Sequence, residues 1–187
     1  TGADIKWNDV GVETYRNFAN KIWNATRFCL MNSEGASVDH GSIWPRINAD
    51  EADQKGGNPT GREGAPLALA DLWIISRLNR TALDLNTAVD KYEFHTAVSL
   101  LYHFFWDDFC DWYIELKKDE INAGDVEATT RILTILEIAL RMLHPFMPYL
   151  TEELWQKLPG TSAALNNPAY TEAGASIMLT KFPPGDA

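Results

Sequence analysis

Phe94–Lys118, FHTAVSLLYHFFWDDFCDWYIELKK, is the stretch on which the fold turns. Phe94, Val98, Leu101, Phe105, Phe109, Trp112 and Leu116 recur at the three-and-four spacing of one α-helical stripe. Tyr102, Phe104, Trp106 and Tyr113 widen that stripe. A helix apolar over so much of its circumference has to sit among other helices, so the spacing predicts an all-α fold with this helix as its aromatic centre. Lys117 and Lys118 are placed to close it at the negative end of its dipole.

Working outward, the same rhythm returns on both sides. Leu72, Ile75, Leu78, Ala82, Leu85 and Val89 predict a preceding helix that starts near Leu69. The linker Asp90–Glu93 is short, so the two helices run antiparallel. Downstream, Val126–Leu143 reads as a helix with Ile132, Ile135, Leu136, Ala139 and Leu143 inward. His144-Pro145 ends it, because the residue before proline avoids the helical region. Pro148 and Thr151 open a short fifth helix over Glu152–Lys157. At the other end, a helix runs from about Val10 to Met31, capped by Asn8 or Asp9 and closed by Asn32–Gly35. The expected architecture is an antiparallel bundle of four to five helices over residues 10–158. Residues 1–9 form a connector and 159–187 a C-terminal extension with a strand-like run at Ser176–Phe182. Residues 36–66, rich in Gly, Pro, Asn and Asp, read as a long loop insertion, with Trp44 expected to dock on the bundle.

Composition narrows the function classes. Of 187 residues, 45% are hydrophobic, which suits a folded domain with a substantial core. The two cysteines, Cys29 and Cys110, form neither a disulfide framework nor a zinc site, and they suit a reducing compartment such as the cytoplasm. No apolar run is long enough to span a membrane. His40, His95, His103 and His144 lack metal-ligand spacing. His103 and Cys110 lie two helical turns apart, roughly 10 Å, too far for a nucleophile–base pair. Asp107, Asp108, Asp111, Glu115 and Asp119 recur at helical spacing; a solvated face, or partners for basic residues such as Arg77, Arg80 and Arg131, outweighs a metal or acid–base site. There is no phosphate loop, dinucleotide motif or nucleophile elbow, so neither catalytic nor metal-binding residues are expected.

The first helix stands apart. Val12–Met31, VETYRNFANKIWNATRFCLM, carries Arg16, Lys21 and Arg27 against Glu13, a basic stretch in a chain of net charge −10. Val12, Tyr15, Phe18, Ala19, Ile22, Thr26, Cys29 and Leu30 fall on one broad face. Arg16, Arg27, Asn20, Asn24, Asn17 and Lys21 fall on the other, with Phe28 among them. Guanidinium pairs with phosphate, amides read base edges, and a ring stacks on an unstacked base. A solvated helix face is the alternative. The acidity of the rest of the chain excludes general phosphate attraction, so any nucleic-acid contact has to be local and shape-specific.

Four segments carry a family resemblance. RNFANKIWNATRF (Arg16–Phe28), ADLWIISRL (Ala70–Leu78), FFWDDFCDWYIE (Phe104–Glu115) and LHPFMPYLTEELW (Leu143–Trp155) resemble, in order, the C-terminal region of valyl-tRNA synthetases. TGADIK (Thr1–Lys6) is similar to the segment that joins the catalytic core and stem-contact region to the bundle, and Ser176–Pro184 to the segment before a coiled-coil arm. The isoleucyl and leucyl enzymes share the bundle and its H-P-F-x-P turn, but RNFANKIWNA and FCDWY resemble the valyl branch. Ser37–Pro66 is longer and richer in Gly and Pro than that family's pattern.

The resemblance implies the anticodon-binding domain of a class I synthetase, part of a longer, cytoplasmic enzyme that joins valine to tRNA-Val. That enzyme uses ATP and magnesium through a valyl-adenylate, and edits misactivated threonine in a separate domain. Its catalytic signatures are absent from these residues, so the domain supplies tRNA binding, without a cofactor of its own. The implied partners are the tRNA-Val anticodon loop and the catalytic and editing domains of the same chain, with the domain itself a monomer. On α-helical position, Arg16 and Arg27 would hold loop phosphates or bases, Asn17, Asn20 and Asn24 would hydrogen-bond bases, Lys21 would add charge, and Phe28 would stack. The other readings are a helical protein-interaction module, the same domain of an isoleucyl or leucyl enzyme, and a small helical enzyme using the acids of the Phe94–Lys118 helix.

Overall fold

The computed structural model describes residues 9–39, 67–161 and 176–185, and their regular structure is all helical. In chain order the elements are α1 (Asp9–Met31), α2 (Leu69–Asp90), α3 (Phe94–His103), a π-helical segment (Phe104–Ile114), α4 (Glu115–Asn122), α5 (Val126–Leu143) and α6 (Pro148–Trp155), then a single 3₁₀ turn, Ile177–Leu179. The segment from α3 through α4 is one continuous rod, so the bundle has five rods, as the spacing predicts. Residues 1–8 of the expected connector 1–9, and Trp44 and the Gly-rich run of the expected insertion, lie outside the described residues.

Local chemistry sets several boundaries. Asp125 caps α5, its carboxylate accepting from the Glu127 and Ala128 amides at 2.9 and 3.0 Å. Gly124 supplies the left-handed turn before it, at φ 80°. The Ala68 amide donates to Asp71 Oδ2 at 3.1 Å and tightens the start of α2. Pro148 occupies the first turn of α6, where a missing N–H costs nothing; α6 thus begins four residues before the expected Glu152.

The π-helical segment corrects the stripe expected over Phe94–Lys118. Bonding from i to i+5 puts more residues into each turn and rotates everything that follows. The buried line is Leu101, Phe105, Phe109, Tyr113, Lys117 and Ile121, while Trp112 and Leu116 face solvent; Phe94, at the start of α3 and upstream of the π-helical segment, is exposed as well. Lys117, expected to close the helix at its dipole's negative end, is instead 1% exposed within it, and the helix continues to Asn122. The bundle centre is also displaced: every residue of α5 from Ile132 to Leu143 is buried, so α5, more than the aromatic rod, is the helix surrounded by others. At the rim, Tyr15, Leu72 and Val89 are exposed despite their predicted inward positions.

Two flanking segments belong to the bundle. Val38 is buried and its amide donates to Pro159 O at 2.8 Å, while the Asp39 amide donates to Thr134 Oγ1 at 3.0 Å. The start of the expected insertion is therefore pinned to α5 and to the end of α6. Residues 176–185 form a strap; Ser176–Phe182 is extended chain around the 3₁₀ turn, with no strand pairing among the described residues. Asn86 Nδ2 donates to the carbonyls of Pro183 and Pro184, each at 3.0 Å. Gly185, at φ 67°, passes so close to α2 that a Cβ there would lie 2.5 Å from the Leu83 nitrogen. Only glycine fits that approach.

Candidate nucleic-acid interface

One side of α1 anchors it. Phe18, Ile22, Ala25, Thr26 and Cys29 are buried. Phe18 meets Tyr102 at 5.0 Å and Phe105 at 6.2 Å between ring centroids. Arg16, Asn17, Asn20, Asn24 and Arg27 are exposed on the opposite side, where the helical spacing puts them. Five of the seven predicted site residues thus share an open face. The other two are occupied.

Lys21 is engaged by the π-helical segment. Its Nζ lies 2.7 Å from Asp111 Oδ1 and 4.9 Å from the centre of the Trp106 ring. Trp106 in turn stacks on Tyr102 at 5.4 Å. Burial disfavours the Lys21 charge, but the Asp111 hydrogen bond and the nearby carboxylates of Asp111 and Glu115 outweigh it, and the pKa is raised. Lys21 is a matched charge holding α1 to its neighbour. Phe28 is half-buried and packed against the core, so its ring is not a free stacking surface.

The two arginines differ as well. Arg16 Nη2 lies 3.1 Å from Glu13 Oε1, an exposed pair. Arg27 has no partner among the described residues. It lines an open recess of about 260 Å³ between α1 and α6, together with Trp23, Leu30, Met31, Leu154 and Lys157. Lys157 is paired with Glu153. Trp23 is 41% exposed and Met31 74%. Trp23 and Lys157 were absent from the predicted set. The available signal for Trp23 was its place four residues before Arg27, about 40° away around the helix.

Most of the acids from Asp107 to Glu115 have partners: Asp108 pairs with Arg77 at 2.8 Å, Asp111 with Lys21 at 2.7 Å and Glu115 with Lys118 at 3.0 Å, while Asp107 shares a 2.8 Å hydrogen bond with His103 Nδ1. Among the described residues no group of His, Cys, Asp and Glu is arranged to hold a metal. Both cysteines are free and buried. Burial pushes the Cys110 thiol up to about 12 and the Cys29 thiol higher still, so neither is a nucleophile at neutral pH. Among the described residues no helix is long and apolar enough to cross a membrane.

Residues 71–187 match the family model described as the anticodon-binding domain of tRNA ligase. The chain belongs to that family. The domain's matched span begins at Asp71, so α1 lies outside it, but relatives extend the similarity to α1. The valine–tRNA ligase of Geobacter sulfurreducens is 43% identical over 192 residues, covering 100% of this chain and 19% of the relative. That of Thermotoga maritima is 41% identical over 183 residues, covering 97% of this chain and 17% of the relative. The domain therefore spans under a fifth of the curated relatives it matches. Among solved structures, a ternary LeuRS–tRNA–LeuAMS complex from Agrobacterium radiobacter gives a TM-score of 0.54 at 17% identity, covering 97% of this chain and 17% of that one. At that identity the likeness concerns the fold, and it agrees with the all-helical bundle.

Proposed function

We propose that this domain binds the anticodon loop of tRNA-Val within a cytoplasmic valine–tRNA ligase. The carrying observation is identity above 40% with valine–tRNA ligases across essentially the whole chain, α1 included. The α1 face supports the reading chemically, since it sets two guanidiniums and three amides in line on a rigid, well-packed helix. The domain contributes recognition without a cofactor, and the joining of valine to tRNA with ATP and magnesium belongs to the catalytic part of the longer ligase. The domain acts as a monomer beside the catalytic and editing domains of its own chain.

Within the face the roles are graded. Arg27, unpartnered among the described residues, takes a phosphate or a base edge. Arg16 exchanges Glu13 for the same purpose. Asn17, Asn20 and Asn24 bond to bases, while Lys21 holds α1 in place. The test is binding of tRNA-Val transcripts to the full-length ligase. Arg27→Ala is expected to weaken binding by about 1–3 kcal/mol, and Arg16→Ala by less because Glu13 already competes for it. Unchanged affinity with an unchanged dependence on anticodon sequence in both variants would rule the assignment out.

A further inference from the structure

We propose that the seam between α2 and the rod from α3 to α4 is a protein-docking surface, with Trp112, Leu116, Leu69 and Trp73 as its apolar floor and unmatched carboxylates at its rim. Its occupant is a segment of the longer ligase, outside these 187 residues, that carries apolar side chains flanked by lysine or arginine. This rests on the reading of the chain as a domain of that ligase.

The floor follows from the register of the two helices. Tyr113 Oη donates to Asp71 Oδ1 at 2.8 Å and Arg77 pairs with Asp108 at 2.8 Å, so α2 and the rod run antiparallel. Trp73 is then level with Trp112, and Leu69 with Leu116. Arg77, one turn beyond Trp73 on the same side of α2, reaches the rod, so that side of α2 borders the seam. Trp112 is 62% exposed, Leu116 56% and Leu69 83%, and Trp73 is only partly buried. Apolar groups left open together along a seam mark a protein contact, and an exposed indole is a favoured anchor for one.

The rim selects the occupant. The cations around the floor, Arg77, Lys21 and Lys118, are each held by a carboxylate, Asp108, Asp111 and Glu115. Two acids remain over, and they bracket Trp112 and Leu116. Asp107, one turn before Trp112, meets only the imidazole of His103. Asp119, three residues after Leu116, is exposed with no ion partner among the described residues. A nucleic acid would bring phosphates to two unmatched carboxylates and no free cation, which excludes it from this face. A wholly apolar segment would cover the carboxylates without a counter-charge. Apolar side chains between lysines or arginines satisfy both parts, with the charges meeting at the rim. The domain spans under a fifth of the ligases it matches, so most of their length is available to supply that segment.

The test is the alkylation rate of Leu116→Cys, read by peptide mass spectrometry, in the 187-residue chain and in the full-length ligase. Cys29 and Cys110 are buried and leave the reading clear. The rate is expected to fall about 10-fold or more in the full-length ligase. That protection should not depend on protein concentration. It should shrink as salt rises from about 0.05 to 0.5 M, and it should shrink in Asp119→Lys. Trp112→Ala removes a side chain already open to solvent, so the urea midpoint of the 187-residue chain should hold. In the full-length ligase the same substitution should return the Leu116→Cys rate toward that of the short chain. Equal rates in the two chains, or a slow rate already in the 187-residue chain, overturn the proposal. Protection that neither salt nor Asp119→Lys reduces overturns it as well, as does protection lost on dilution, which belongs to a second copy. In each of these cases intact tRNA-Val binding by the full-length ligase leaves the proposed function standing. A full-length chain that binds no tRNA-Val defeats the reading on which the docking rests.

Discussion

Lys117 Nζ lies 3.2 Å from Asp71 Oδ1, and both side chains are closed off from solvent. The pair joins the start of α2 to α4 beneath the bundle surface. Asp71 also accepts from Tyr113 Oη at 2.8 Å, from Arg131 Nη1 at 3.4 Å and from the Ala68 amide, so its buried charge is well satisfied. Burial, then the Asp71 charge and hydrogen bond, raises the Tyr113 hydroxyl well above its usual range and keeps it a donor. Lys117 has a second carboxylate, Glu120, at 2.9 Å.

That asymmetry fixes an order of damage. Asp71→Ala strips Lys117 of its buried partner and leaves Tyr113 and Ala68 without an acceptor. The expected loss is about 3–5 kcal/mol, the usual cost of breaking a buried pair. Lys117→Met leaves Asp71 with three donors and fills the same space, so its loss should be smaller. Urea unfolding of both variants checks the order; a larger loss in Lys117→Met would contradict the network described.

Glu137 organises the other end of the bundle in the same way. Trp155 Nε1 donates to its Oε1 at 2.8 Å, and Arg141 Nη2 lies 2.8 Å from its Oε2. Arg141 Nη1 reaches on to Lys181 O at 3.1 Å and ties in the C-terminal strap. Trp155→Phe removes a hydrogen bond to a charged acceptor with modest loss of volume, and should cost about 1.5–3 kcal/mol. A thermal melt should fall by roughly 3–12 °C for a domain of this size.

The buried thiols make an accessibility prediction. With Cys110 at about 12 and Cys29 higher, neither should react with a thiol reagent at pH 8 in the folded chain, and both should react in denaturant. The same burial sets an alkaline limit. Folded pKa values above the unfolded value of about 8.5 mean that the unfolded chain ionises first. Stability is full below that pH and falls as pH rises past it. Mass spectrometry after pulsed alkylation measures the first effect, and denaturant midpoints between pH 7 and 10 measure the second.

His144 sets a limit on the acid side. Burial lowers its pKa, only partly offset by Glu152. Thr151 Oγ1 donates to Met147 O at 2.9 Å, so the 2.8 Å contact with His144 is a bond from Nδ1–H to that hydroxyl. A folded pKa below the unfolded value of about 6.5 favours protonation of the unfolded chain. Stability should therefore be full above that pH and decline as pH falls through the folded pKa. His144→Gln should flatten this part of the profile in denaturant titrations between pH 5 and 8.

The sequence by itself determined the rods and most of their ends. Leu69 at the start of α2, Met31 at the end of α1 and the bounds Val126–Leu143 all match the predicted positions, because caps, prolines and apolar spacing act over a few neighbouring residues. It also placed Arg16, Asn17, Asn20, Asn24 and Arg27 on an open face, since one helical period assigns them all together. Only the tertiary structure decided the register after Phe104, the burial of Lys117, and which α1 ring is open. A change from i+4 to i+5 bonding leaves no mark in an apolar pattern already broad enough to satisfy both, and Trp112 lies within that segment, turned outward. Likewise Phe28 and Trp23 are equivalent as rings in the sequence. The core takes up one and α6 leaves the other exposed, and that difference belongs to the neighbours of α1, which no spacing within α1 records.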